Sequence, residues 1–304
     1  MTYYQIFLAG KVVPATNGSK FRTPKLISQS LRMENGIPKL MGILNVTPDS
    51  FHADSRYDAV EDATEKAIQM WNQGATWIDI GGESTRPNAQ PVSIEEELKR
   101  VIPVIKSIRE KNRVGLISID TRNAEVAIKA IEAGADLVND VSGLKSKEMF
   151  EFVVENKIPV CIMHMQNSPL NMQENPVYDD VIEDVSKELT ITVQRMIELG
   201  YPSDLVCIDP GIGFGKTHSH NLALLRAGRD LLGDLNCSIL WGVSRKSIIG
   251  KICQAEDTSD RLAGTLGSTA LAYNYGIDLL RVHDVKENSD VLKVMNEIHS
   301  RPNA

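Results

Sequence analysis

From residue 40 onward, short apolar runs alternate with longer amphipathic segments along the chain. Several of the short runs are apolar throughout, which is typical of strands that are covered on both faces. The predicted strands are 40–46, 76–81, 115–120, 136–140, 159–165, 205–210, 238–243 and 278–283. The amphipathic segments predict helices at 58–73, 94–109, 124–131, 147–155, 179–199, 222–227, 261–275 and 289–299.

Eight strand–helix units in one chain favour an α/β fold of the closed, parallel (β/α)8 type, a TIM barrel, over an open sheet. Residues 1–38 do not follow the alternation, so we interpret them as an N-terminal extension of a barrel that spans 39–304. Within the extension, residues 6–12 predict a strand or hairpin at the bottom of the barrel, and residues 16–24 predict a polar loop.

Composition narrows the class of protein. Of the 304 residues, 42% are hydrophobic and the formal net charge is −7, so a general nucleic-acid binder is disfavoured, because such proteins are usually basic. An anionic small substrate stays compatible with this charge, since a cleft needs only a few local cations. The N-terminus lacks the charged start and apolar core of a secretory signal, and no apolar stretch is long enough to span a membrane, so we expect a cytoplasmic protein.

Polar residues gather where the predicted strands end. In a (β/α)8 barrel the carboxyl ends of the strands form one face, and that face carries the active site. Asp120 alone could be only a helix N-cap, and each of the other residues has a similar structural alternative. Their convergence on one face favours a site. The strand-end residues are Asn45, Asp49, Arg86, Asp120, Asn139, Asp209, Ser244, Lys246, Arg281 and His283.

The residue types suggest two kinds of ligand group. Four side chains in this acidic protein could be cations and suit a phosphate or diphosphate. They are Arg86, Lys246, Arg281 and His283. Carboxylates and amides can bracket a flat heterocycle with alternating donors and acceptors, and these are Asp120, Asn139 and Asp209. Asn45 and Asp49 offer oxygen ligands for a hard cation such as Mg²⁺ bridging a diphosphate.

The glycine-rich segment 211–217 is not a nucleotide-binding loop. A Walker A motif needs glycine where Pro210 stands, and a dinucleotide-binding motif needs its last glycine where Lys216 stands. The glycines instead suit a sharp turn or a close approach of the backbone to a ligand. His218 and His220 have no accompanying carboxylate-rich metal pattern.

Two longer motifs carry a family resemblance. The segments MGILNVTPDSF at 41–51 and IDIGGESTRP at 78–87 resemble the first two signatures of the dihydropteroate synthases. Further similar segments follow in family order at 119–121, 139–143, 163–165, 209–216, 242–246 and 281–285. The resemblance implies that a 6-hydroxymethyl-7,8-dihydropterin diphosphate and p-aminobenzoate are joined to give 7,8-dihydropteroate and pyrophosphate in folate biosynthesis. It also implies a Mg²⁺ cofactor, a homodimer and inhibition by sulfonamides.

The same resemblance implies a role for each matching residue. The pterin-binding residues are Asp120, Asn139, Met163, Asp209 and Lys246. The diphosphate-binding residues are Asn45, which acts through Mg²⁺, Arg86, Arg281 and His283. The aminobenzoate-binding residues are Phe51, Thr85, Arg86, Pro87, Phe214 and Ser244. Of these, Asp120, Asp209, Lys246 and Arg281 are expected to be catalytic.

The first signature departs from the family after Phe51. Where the family usually has Ser-Asp-Gly-Gly, this chain has His52, Ala53, Asp54 and Ser55, and loss of the glycines is expected to stiffen the tip of the loop. The rest of the motif, including Asp49, is retained.

Three alternatives are weighed against the resemblance. A methyltetrahydrofolate–corrinoid methyltransferase on the same barrel would share the pterin contacts but would not need Lys246, Arg281 and His283. A non-catalytic pterin-binding paralogue would be expected to lack a diphosphate or aminobenzoate residue, and the sequence retains them all. Another phosphate-binding barrel would not explain the ring-binding residues.

Overall fold

Eight parallel strands close into one barrel. The computed structural model describes residues 6–8, 11–13, 23–47, 56–84, 90–167 and 170–300. The strands are β1 (Ile6–Leu8), β2 (Lys11–Val13), β3 (Lys39–Asn45), β4 (Trp77–Gly81), β5 (Leu116–Asp120), β6 (Leu137–Asp140), β7 (Val160–Met163), β8 (Val206–Asp209), β9 (Ser238–Trp241) and β10 (Leu279–Val282). Strands β3 to β10 follow one another around the barrel, and β10 pairs with β3 to close it. The predicted (β/α)8 barrel is therefore confirmed, and the predicted strand ends differ from the observed ones by at most two residues.

Helices follow the strands around the outside. They are α1 (Pro24–Leu31), α2 (Arg56–Asn72), α3 (Ile94–Lys111), α4 (Ala124–Ala133), α5 (Lys147–Asn156), α6 (Val181–Glu198), α7 (His218–Ala227), α8 (Ser247–Cys253), α9 (Leu262–Asn274) and α10 (Val285–His299). The predicted start of α7 was four residues late, because the hydroxyl of Thr217 caps the helix by accepting a hydrogen bond from His220 N at 3.2 Å. The short α8, which contains Gly250, was not predicted.

The strands supply the core of the barrel. Every residue of β4 and β5 is buried, as expected for parallel strands packed between the barrel interior and the outer helices. A separate small apolar cluster lies above this core at the ends of the strands, and its members are Val141, Met163, Met165, Met172 and the half-buried Phe214. Among the described residues, no helix is long and apolar enough to cross a membrane.

Helix α1 lies against the N-terminal ends of the strands. Thr23 caps it, and Pro24 takes the first helical position, where its missing N–H costs no hydrogen bond. The indole of Trp77, the first residue of β4, donates to Ser30 O at 2.9 Å, and Met33 N donates to Asp278 Oδ1 at 3.1 Å just before β10. A helix therefore covers this end of the barrel and begins inside the region interpreted as a polar loop.

Strands β1 and β2 form an antiparallel pair within the extension, with Ile6 opposite Val13. This pairing agrees with the hairpin expected there. Its position at the bottom of the barrel and the division of the chain at residue 38 remain predictions.

Candidate active site

The carboxyl ends of the strands bring most of the predicted site residues to one end of the barrel. Asn45, Asp120 and Asp209 are the last residues of β3, β5 and β8. Asn139 lies in β6, and Arg281 lies in β10. Because parallel strands all end on the same face, side chains far apart in sequence meet at the mouth of the barrel.

Arg281, on β10, binds carboxylates on two other strands, β4 and β5. Its Nε lies 2.6 Å from Asp79 Oδ2, and its Nη2 lies 2.6 Å from Asp120 Oδ2. Asn139 Nδ2 donates to the same Asp79 Oδ2 at 3.1 Å. Burial raises the pKa of Asp120, an effect that the Arg281 guanidinium opposes and the Asp79 carboxylate reinforces. Two carboxylates therefore share one guanidinium in a largely dehydrated pocket.

Asp209 and Lys246 form the second charged pair of groups at the mouth. Both groups lie beside Gly242, the residue that follows β9. A Cβ added to Gly242 would lie 3.6 Å from Asp209 Oδ2 and 3.7 Å from Lys246 Nζ. Lys246 Nζ donates to Ile212 O at 2.5 Å. Burial lowers the pKa of Lys246 to about 8, against the opposing effect of the Asp209 carboxylate. Burial also raises the pKa of Asp209, which Lys246 opposes.

Phe214 lies directly below the Lys246 ammonium, with 4.3 Å from Nζ to the centre of the ring, a cation–π contact. Met163 packs in the same apolar cluster as Phe214. These two side chains give the polar mouth one apolar wall, which suits the face of an aromatic ring.

Ser244 and His283 are in direct contact. His283 N donates to Ser244 Oγ at 3.2 Å, and Ser244 Oγ lies 3.0 Å from His283 Nδ1. The neighbouring Arg245 makes a two-pronged ion pair with Asp284, at 2.7 and 2.6 Å, which ties the ends of β9 and β10 together. Ser244, expected at the aminobenzoate site, and His283, expected at the diphosphate, thus share a hydrogen bond.

Asn45 has a side chain available for a ligand. A Cβ added to Gly81 would lie 3.8 Å from Asn45 Oδ1 and 3.6 Å from Asp120 Oδ2, so Asn45 stands beside Asp120 at the mouth. Within the described parts of the chain we find no cluster of three or more His, Cys, Asp or Glu side chains that could hold a metal ion by themselves. An amide oxygen alone fits a Mg²⁺ ion only if the ion arrives on a diphosphate and keeps water ligands.

Four predicted aminobenzoate residues lie outside the described residues. They are Phe51, Thr85, Arg86 and Pro87. Asp49 and the departure at 52–55 lie outside them as well.

Residues 41–283 match the family described as "Pterin binding enzyme". The chain belongs to this family, among its dihydropteroate synthases. The dihydropteroate synthase of Escherichia coli (strain K12) is 42% identical over 271 residues, covering 89% of this chain and 95% of its own.

Solved structures of dihydropteroate synthases have a fold similar to that of this chain. The Xanthomonas albilineans dihydropteroate synthase with 4-aminobenzoic acid has a TM-score of 0.81 and 38% identity, covering 88% of this chain and 94% of its own. The Yersinia pestis dihydropteroate synthase in a sulfonamide drug complex has the same TM-score and identity, covering 88% and 97%.

Two residues of this pterin-binding enzyme, Asp79 and Glu83, were not predicted as site residues from the sequence. A charged residue inside the apolar run IDIG is the signal that indicates Asp79 as a paired, functional carboxylate. Glu83 binds Arg122 through two hydrogen bonds of 2.9 Å and also accepts from Val92 N at 3.2 Å. Glu83 therefore holds both ends of the segment that carries residues 85–89.

Proposed function

We propose that this chain condenses 6-hydroxymethyl-7,8-dihydropterin diphosphate with p-aminobenzoate, giving 7,8-dihydropteroate and pyrophosphate. The amine nitrogen bonds to the methylene carbon of the pterin, the carbon–oxygen bond to the diphosphate breaks, and the amine loses a proton. The observation that carries the proposal is the convergence of Arg281, Asp79, Asp120, Asp209 and Lys246 at one mouth in a chain of this family.

The pterin ring is assigned to the inner residues of the mouth. Asp120, Asn139 and Asp209 offer the oxygen acceptors and amide donor that match the edge of such a ring, and Lys246 adds a cationic donor. Met163 supplies an apolar contact from the side. Since Asp120 and Asp209 are buried, their negative charge acts in a poorly hydrated site, where it stabilises positive charge that develops on the pterin methylene.

The diphosphate is assigned to Asn45, Arg86, Arg281 and His283. Arg281 is bound to Asp79 and Asp120 in this structure, so its guanidinium is already oriented at the mouth before any anion arrives. A bound Mg²⁺ would neutralise charge on the departing pyrophosphate, and Asn45 Oδ1 is the amide oxygen that would help to hold it. These assignments make Asp120, Asp209, Lys246 and Arg281 the catalytic residues.

The aminobenzoate is assigned to Phe214 and Ser244, together with Phe51, Thr85, Arg86 and Pro87. Phe214 presents a ring face beside the Lys246 ammonium, and Ser244 is fixed by His283. In this assignment the amine would lie next to the pterin methylene, so that a bimolecular encounter becomes a positioned attack. Sulfonamides, as aminobenzoate analogues, are then expected to compete for the same pocket.

A homodimer and a cytoplasmic location are part of the proposal. Leu271 and Tyr275 are each 38% exposed on or next to α9, which makes the 266–275 segment a candidate contact surface between two copies. Sedimentation velocity would test the dimer.

Substrate dependence tests the reaction against its rivals. The purified chain with Mg²⁺ should release pyrophosphate only when both the pterin diphosphate and p-aminobenzoate are present. A methyltransferase would instead move a methyl group from methyltetrahydrofolate to a corrinoid, and a non-catalytic paralogue would bind pterin without releasing pyrophosphate. Either result in place of two-substrate dependence would overturn the proposal.

A further inference from the structure

A fully buried lysine lies behind the candidate site, and no role has yet been given to it. Lys216, in the connection between β8 and α7, is only 3% exposed. Its ammonium lies 3.0 Å from His164 Nδ1, 3.0 Å from Phe214 O and 3.3 Å from His164 O. No carboxylate lies within ion-pair distance of Lys216 in the parts of the chain that the structure describes, which is unusual because buried ammonium groups are normally paired.

His164 completes the surroundings of Lys216. Burial lowers the pKa of Lys216 to about 7, an effect that the Asp209 carboxylate opposes. The carboxylate of Glu188 accepts from His164 Nε2, so Nε2 carries the ring hydrogen and Nδ1 is the acceptor for a hydrogen of Lys216. That Nε2 faces Glu188 Oε2 at 3.3 Å, and this hydrogen bond is the main cause that lowers the pKa of Glu188 to about 2. Burial lowers the pKa of His164, which agrees with a neutral ring. A continuous chain of contacts therefore runs from Glu188 on helix α6 through His164 to Lys216.

The backbone of residues 211–215 depends on this chain of contacts. The loop needs positive φ at three glycines, and a Cβ at Gly211 would approach His164 O to 1.9 Å, so the loop is pressed against the end of β7. Lys216 holds the carbonyl of Phe214, and Lys246 holds the carbonyl of Ile212. The loop thus joins the buried lysine to the lysine of the site.

We propose that Lys216, oriented by His164 and Glu188, is a positioning residue that fixes the 211–215 loop and thereby the Phe214 ring in the aminobenzoate pocket. The inference rests on the proposed function for its substrate. Asp120 and Asn139 lie on strands and do not contact the loop, whereas Asp209 accepts from Gly211 N at 2.7 Å and Lys246 donates to Ile212 O. The loop therefore touches part of the pterin site, but it carries the Phe214 ring of the aminobenzoate pocket directly. The expected signature is a selective effect on aminobenzoate.

Lys216→Met tests the role, because methionine has a similar length and no donor. We expect the KM for p-aminobenzoate to rise about tenfold or more, since the carbonyls of His164 and Phe214 and the ring nitrogen of His164 lose their donor. The KM for the pterin diphosphate should rise by a clearly smaller factor, because Asp120 and Asn139 do not contact the loop, and kcat should fall less than the aminobenzoate KM rises. Lys129→Met, at a surface ion pair with Glu132 on α4, is the matched control and should change neither constant.

Two further variants keep the test decisive if Lys216→Met folds poorly. Lys216→Arg retains a cationic donor and should restore a large part of the affinity for aminobenzoate. Glu188→Ala removes a half-exposed residue that touches no substrate, and it should raise the same KM by a few-fold by leaving His164 Nε2 without its partner. A purely structural role would lower the melting temperature without this selective order of KM values.

Amide hydrogen exchange of residues 211–217 gives a readout that does not need turnover. Faster exchange in Lys216→Met than in the parent and in Lys129→Met is the expected result. Unchanged exchange, or equal changes in both KM values in folded variants, would overturn the positioning role. If the parent protein makes no dihydropteroate, the proposed function fails, whereas the exchange experiment still decides whether Lys216 fixes the loop.

Discussion

Arg281 on β10 and Asp79 on β4 form an ion pair at the mouth of the barrel, with 2.6 Å between Nε and Oδ2, although 202 residues separate them in sequence. Asp79 is fully buried, and its other oxygen, Oδ1, has no hydrogen-bond partner among the residues that the structure describes. A buried carboxylate without a full set of partners is costly, so its presence in a strand points to a role in the site. We infer that Asp79 orients Arg281 before substrate binds.

Asp79→Asn is expected to lower kcat/KM for the pterin diphosphate by about tenfold to a hundredfold. An asparagine at position 79 weakens the charge-assisted hydrogen bond from Arg281, and its amide group can turn a donor towards Asn139 Nδ2, which is itself a donor. Charge-assisted hydrogen bonds contribute roughly 1.5–3 kcal/mol. Initial rates at varied pterin diphosphate would measure the effect. An unchanged kcat/KM in a folded variant would show that Asp120 alone suffices to orient Arg281.

Asp278→Asn is the matched control: Asp278 is a buried carboxylate too, but it directly precedes the N-terminal end of β10, away from the mouth. Asp278 is buried and accepts from Arg229 at 2.6 Å and from Met33 N and Ile239 N at 3.1 Å each. Arg229 is about a third exposed, so we expect the free energy of unfolding to fall by about 2 kcal/mol, less than the ~3–5 kcal/mol of a wholly buried pair. Urea unfolding would measure it, while both KM values should stay unchanged. A shifted KM would mean that the two ends of β10 are not independent.

Glu83→Gln should raise the KM for p-aminobenzoate several-fold and leave kcat nearly unchanged. Glu83 bonds Arg122 and Val92 N, so it fixes both ends of the segment that carries Thr85, Arg86 and Pro87. Steady-state kinetics with varied aminobenzoate would test this prediction, with Lys129→Met again serving as the unaffected surface variant. A loss in kcat alone would contradict an anchoring role.

The activity should fall as pH rises through about 8. Burial lowers the pKa of Lys246 to about 8, and its protonated form is the one assigned to the site, so deprotonation removes the working species above that pH. The kcat/KM is expected to drop roughly tenfold for each further pH unit. Lys246→Arg should move this alkaline limb upward, because arginine stays charged. A flat profile up to about pH 9.5 in the parent protein would rule out this assignment.

Removal of Mg²⁺ with EDTA should strongly reduce turnover, and added Mg²⁺ should restore it. Asn45→Ala should then raise the KM for the pterin diphosphate and the Mg²⁺ concentration that half-saturates the rate, since one oxygen ligand is lost. Asn236→Ala, at the far end of the barrel beside Arg32, is the control. Undiminished turnover after complete chelation would count against the metal assignment.

The barrel and the location of the site were predictable because both depend on local pattern. Continuous apolar runs predict the strands, and the site residues Asp120, Asn139 and Asp209 lie where those runs end. Helix α1 was missed because its eight residues lie outside the strand–helix alternation, and only its packing against the barrel base gives it a partner.

Contacts between side chains at the ends of different strands were not predictable in this way. Lys216 and His164 are 52 residues apart, and nothing in either local pattern says that they meet. Arg281 was expected at a diphosphate, and its two carboxylate partners become evident only when β4, β5 and β10 are brought together. Such pairings are set by the closure of the sheet and not by the neighbouring sequence.

Formation of dihydropteroate tests the central claim most directly. The parent protein should be incubated with the pterin diphosphate, p-aminobenzoate and Mg²⁺, and both products should be quantified over time by mass spectrometry and a pyrophosphate assay. The account predicts equal amounts of 7,8-dihydropteroate and pyrophosphate, and near-complete loss of both in Lys246→Ala. Pyrophosphate release without dihydropteroate, or no release at all from folded protein, would contradict it.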